Sequence, residues 1–134
     1  MTDALDVLQH IWRELRADLG NAIGGIGDSL PPARDLDPNR VYVVVDELPG
    51  TTTVPWGGHA PLIADHVLDV DVHGPSRIAT KPVRDKVTAT LSDLPNRNHV
   101  PITRTRCPSS WHPRPDMNPN LKRVGAEFRV TART

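Results

Sequence analysis

Arg123-Val-Gly-Ala-Glu-Phe-Arg-Val-Thr-Ala-Arg133 alternates apolar and polar residues along its whole length, with Val124, Ala126, Phe128, Val130 and Ala132 on one side. A period of two marks a strand with one face on a core and the other toward solvent. His66-Val-Leu-Asp-Val-Asp-Val-His73 repeats the pattern: Leu68, Val70 and Val72 point one way, Asp69, Asp71 and His73 the other. Val41 to Val45, four Val and one Tyr, predicts a further strand over about Arg40 to Glu47. A fourth is expected from about Val100 to Cys107.

Two segments carry the helical period instead. Leu5, Leu8, Trp12, Leu15 and Leu19 fall on one stripe, with Thr2 or Asp3 as N-cap, Gly20-Asn21 as terminator, and Asp6, Gln9, Arg13, Glu14 and Arg16 on the outer face. Val83, Val87, Leu91 and Leu94 predict a second helix over roughly Ser76 to Leu94, capped by Ser76. Pro82 requires that this helix either start near Thr80 or kink, because an interior proline costs about 3 kcal/mol. The Gly- and Pro-rich stretch Gly24 to Asn39 reads as a loop, as do Thr51 to Pro61 around Trp56 and the long connection Pro108 to Asn120. The order helix, strand, strand, helix, strand, strand predicts an α+β fold. A small mixed or antiparallel sheet of about four strands carries two helices on one face, with long loops.

At 134 residues without a composition break, the chain is expected to be one domain, 1–134. Hydrophobic residues make up 37%, so the core is thin, and burial against neighbouring subunits would help it. The start carries Asp3 and Asp6 and lacks the basic and apolar regions of a signal peptide. No run approaches the roughly 20 apolar residues of a membrane span. Cys107 stands alone, as in a chain from a reducing compartment.

Formal net charge is zero, which argues against a general nucleic-acid binder, but the charge is divided. Residues 1–74 hold 12 acidic and 4 basic side chains, and residues 75–134 hold 4 acidic and 12 basic. Two readings follow: the halves interleave and pair within one sheet, or the subunit is dipolar and packs head to tail, the heterologous contact that closes rings.

Chemistry-bearing motifs are sparse. None of the six histidines (10, 59, 66, 73, 99 and 112) forms an HExxH or HxH pattern, and Cys107 with His112 supplies two ligands, so neither a metal nor a cofactor is expected. Gly24-Gly25-Ile26-Gly27 follows a helix and lacks the preceding strand of a phosphate-binding turn. Cys107 paired with a remote His is a generic possibility, and Asp69 with Asp71 on one strand face reads more simply as a solvated pair than as two catalytic acids. An enzyme is not expected.

The strand His66 to His73, the helix containing Val83-Arg-Asp-Lys-Val-Thr-Ala-Thr-Leu91 and the return strand Val124-Gly-Ala-Glu-Phe-Arg-Val-Thr131 resemble the tail terminator (tail completion) proteins of long-tailed bacteriophages. The amino-terminal helix and the Val41 to Val45 strand fit the same order. The match is one of pattern and order, and the loops Gly24 to Asn39 and Pro108 to Asn120 exceed a minimal member. The resemblance implies a six-subunit ring at the head-proximal end of the virion tail, assembled in the host cytoplasm. Such a ring caps the tail tube, ends its polymerisation and docks the head connector, with DNA passing through its lumen without sequence-specific contacts. The alternatives are a head-closure or neck protein, or a small cytosolic enzyme or ligand-binding domain with a pocket between the Trp56/His59 and Trp111/His112 loops.

These readings nominate interface residues: Trp56, His59, Trp111, His112 and Arg114 in loops, and Asp69, Asp71, Arg104, Arg106 and Arg129 on the polar sheet face. Asp69 and Asp71 are expected to meet Arg104, Arg106, Arg129 or Arg133 across strands. Trp111 either contacts another subunit or tube protein, or folds back over its own sheet.

Overall fold

The computed structural model describes residues 6–48, 63–107 and 109–133. Helix α1 spans Val7–Leu19 and opens on a capping box: Asp6 accepts from the Gln9 N–H, and the Gln9 side chain accepts from the Asp6 N–H. Asp6 therefore caps the helix in place of Thr2 or Asp3, which lie outside the described residues. Gly20, at φ 53°, ends it in a conformation that a Cβ would strain.

Among the described residues the sheet has six strands rather than about four: β1 Gly25–Gly27, β2 Tyr42–Leu48, β3 Ile63–Gly74, β4 Ile102–Arg106, β5 His112–Asn118 and β6 Leu121–Arg133. Its order is β1-β2-β3-β6-β4, and β5 also pairs with β6. β1 runs parallel to β2, while every other pairing is antiparallel. The two additions lie where composition predicted loops. β1 is a three-residue glycine-flanked edge, and β5 carries Pro113 and Pro115, tolerated because an edge strand leaves one side of its backbone unpaired.

Pro108 to Asn120 is therefore mostly not a loop. β5 and β6 are joined by Pro119-Asn120 alone, with Asn118 Oδ1 accepting from the Asn120 N–H at 2.9 Å. β4 and β5 lie end to end along one side of β6, β4 against Arg129 to Ala132 and β5 against Leu121 to Gly125. β4 and β6 pair antiparallel across this connection, which is an interruption between β4 and β5 rather than a loop.

Helix α2, Arg77–Asp93, starts at the predicted N-cap, Ser76, whose Oγ accepts from the Ala79 N–H at 3.0 Å. It runs through Pro82. Both helices lie on the apolar sheet face, where Ile11, Leu15 and Leu19 of α1 and Val83, Val87 and Leu91 of α2 share one core with Val43, Val45, Leu68, Val70, Val72, Ala126, Phe128 and Val130. Burial of each such aliphatic side chain stabilises the fold by about 1.5–3 kcal/mol. The opposite sheet face carries the charge.

Candidate assembly surface

The polar face follows from register. Asp71 lies opposite Gly125 and Asp69 opposite Glu127, while Asp46 on β2 faces Asp69 from the other side. Three carboxylates thus share one row across β2, β3 and β6. Like charges at such spacing destabilise unless answered.

The answer comes from β5 and from β6 itself. Arg114 Nη1 donates to Asp69 Oδ1 at 2.7 Å and to Asp71 Oδ1 at 2.9 Å, and Arg123 Nη2 donates to Asp71 Oδ2 at 2.7 Å. Asp71 is 5% exposed, so its charge is held by guanidinium groups rather than by water. Gly125 makes the seat, since a Cβ there would stand 2.5 Å from both Arg114 Cζ and Asp71 Oδ1. Burial opposes the charge on Arg114, but Asp69 and Asp71 more than offset it and raise its pKa.

The expected partners of these aspartates were Arg104, Arg106, Arg129 or Arg133, and the structure corrects this. The register was right, but β5, read as a loop, brings Arg114 over the sheet first. Arg104 and Arg106 on β4, with Arg129 and Arg133 on β6, are exposed and have no acidic partner among the described residues. Arg106 stands directly opposite Arg129. Two arginines in register without an acid between them repel each other and leave a basic rim.

His73 sits beside this network, 1% exposed, with no partner for Nδ1 among the described residues. Burial lowers its pKa against the pull of Asp71, which favours a neutral ring. Asp116 accepts from the Arg123 N–H at 3.0 Å, and this bond holds its carboxyl below the usual range.

A second charged cluster ties α1 to the segment after α2. Arg97 donates to Asp18 at 2.7 Å, and to Glu14 and Asp93 at 3.0 Å each. Thr90 Oγ1 donates to Asp18 at 2.6 Å, and His99 Nε2 meets Glu14 at 2.9 Å. Burial would push the Glu14 carboxyl up, yet hydrogen bonds from Arg97 and His99 hold it below its ordinary value. Glu14 was expected on the outer face of its helix. It is buried because Arg97, 83 residues away, reaches over it.

Trp111 folds back over its own sheet. Nε1 donates to Thr88 Oγ1 at 2.9 Å, and the indole meets Phe128 edge-on with ring centroids 5.9 Å apart. It closes the core where β4 and β5 break. His112 is exposed on the polar face, and Trp56 and His59 lie outside the described residues. Cys107 donates to the Ser109 carbonyl at 2.8 Å, and burial raises its thiol pKa. Among the described residues no cluster of His, Cys, Asp or Glu could hold a metal ion, and no helix is long and apolar enough to cross a membrane.

Neither a protein-family model nor a curated protein matches the chain. The fold is nevertheless shared with a solved virion component. A chain from the "Virion of native gene transfer agent (GTA) particle" matches with a TM-score of 0.60 at 18% identity, over 96% of this chain and 96% of that one.

Proposed function

We propose that this protein is a structural component of a phage-like virion, a subunit of the ring that caps the tail tube, ends its growth and joins it to the head. The observation that carries this reading is the end-to-end correspondence with a gene transfer agent virion chain, which leaves almost none of either chain outside the shared fold. The sequence resemblance to tail terminator proteins supports the narrower role independently, because it rests on the order and pattern of particular elements. The site chemistry agrees with it. Asp69 and Asp71, the carboxylate pair considered as catalytic acids, are occupied by Arg114 and Arg123.

A ring of this kind needs a stiff sheet and surfaces that meet their own copies. The antiparallel β3–β6 ladder, paired from Ile63–Arg133 to Gly74–Lys122, supplies the stiffness. Removing the protein from particle-producing cells is expected to give filled heads without joined tails and tails of uncontrolled length, and adding the purified chain to such an extract restores joining. Joined particles with tails of normal length in its absence would exclude the proposal.

A further inference from the structure

The polar face separates its charges in a particular way. Those at the centre are satisfied within the chain, Asp69 and Asp71 by Arg114 and Arg123. Those at the two rims are not. At one rim, β4 pairs among the described residues only with β6, and Arg104 and Arg106 are exposed beside Arg129. At the other, β1 pairs among the described residues only with β2, and Asp46 is exposed on the polar face of β2, while Asp28 is exposed at the end of β1, one step beyond the Gly27–Val44 pair and so level with core-facing Val45. Neither aspartate has an ion-pair partner among the described residues.

Three strand spacings separate β2 from β4, about 14 Å at roughly 4.8 Å each. The Debye length is about 8 Å at physiological ionic strength, so the two rims of one subunit barely feel each other. Register puts Asp46 in the row of Glu127 and Arg106 in the next row, opposite Arg129, so both rims lie toward the same end of the sheet. Copies placed side by side would bring acid and base within contact distance without a large shift along the strands.

We propose that the arginine rim on β4 docks onto the Asp28/Asp46 rim on β1 and β2 of a second copy, edge to edge and head to tail. This rests on the ring reading and names the surfaces that make the ring. A two-fold contact through either rim would set like charge against like, whereas a repeated unlike contact closes into a ring when its rotation allows. Each edge also offers unpaired backbone N–H and C=O groups that can seat the neighbouring edge.

The test uses two charge-reversed chains, Arg104→Glu/Arg106→Glu and Asp28→Lys/Asp46→Lys, each checked by thermal melting for retention of fold, with Arg104→Gln/Arg106→Gln as the milder variant. Sedimentation velocity at low salt is expected to show self-association of the natural chain and a loss of about tenfold or more in apparent affinity for each reversal alone. An equimolar mixture of the two reversed chains restores association, because every seam again joins acid to base. A natural chain that stays monomeric at every concentration, or reversals that change nothing because the arginines only blunt a sheet edge, would overturn the proposal. So would a mixture no better than its parts. Duplex DNA is titrated in parallel; if the arginine reversal abolished DNA binding and left self-association intact, the rim would be a polyanion surface and the proposal would fall. No tube protein is present, so rings that form by these rims yet leave tails unregulated would count against the tail role alone.

Discussion

A methyl group at residue 125 would stand 2.5 Å from Arg114 Cζ and Asp71 Oδ1, so Gly125→Ala is expected to lift the guanidinium off the sheet. Overpacking of this kind costs about 1–3 kcal/mol, and it loosens one of the two guanidinium groups that answer Asp71 among the described residues. A fall in the urea midpoint checks it, and Gly125→Ala as stable as the natural chain would show that Arg114 can reseat freely. His73 makes a pH prediction. Its ring is buried and its pKa lies below the ordinary 6.5, so the unfolded chain takes up a proton there before the folded chain does. Stability is constant above that value and falls as pH drops through it toward the folded pKa. His10, also lowered mainly by burial, adds to the same arm, whereas the carboxylates Glu14 and Asp18, with lowered pKa values, lose their contribution only at more acid pH. Between about pH 7.5 and about pH 5 the urea midpoint should therefore decline, and His73→Phe should flatten the decline. An unchanged slope in His73→Phe would place the titrating group elsewhere.

At the scale of elements, Trp111 holds the break between β4 and β5 shut. Trp111→Ala loses the Phe128 edge contact and the hydrogen bond to Thr88 and should destabilise by about 3 kcal/mol, with self-association unchanged at temperatures where the variant is folded. Weakened association at full stability would return Trp111 to the interface. α2 offers the reverse change: Pro82 forgoes a bond to the Ile78 carbonyl, and Pro82→Ala is expected to raise the melting temperature, consistent with a gain of about 1–3 kcal/mol. Alternation made β3 and β6 legible because half of each strand lies on the core and half on the polar face, and the Leu/Val stripe did the same for α2. β1 and β5 were hidden because Gly25-Ile26-Gly27 and the two prolines of His112–Asn118 carry turn chemistry, and only pairing to a neighbour far along the chain or across a tight turn makes them strands. The same gap misassigned the partners of Asp69 and Asp71. With β5 read as a loop, the nearest cross-strand arginines were those on β4 and β6, and Glu14 looked solvated because nothing in its own helix reveals Arg97.

For the whole molecule, part of the divided charge is paired inside the chain and part is left exposed at the rims. Arg97, Arg114 and Arg123 carry basic charge from the second half back to Glu14, Asp18, Asp69 and Asp71 of the first, so the interleaved reading holds for the centre and the Arg97 cluster. If the exposed rims dock as proposed, attraction between copies should fade as added salt shortens the screening length. The most direct test is to let the tail-tube protein of the same particle polymerise with and without this chain and to image the tubes. The account predicts tubes that stop growing when the chain is added, each bearing a ring at one end. Tubes of undiminished length with bare ends, at chain concentrations well above that of tube ends, would contradict it.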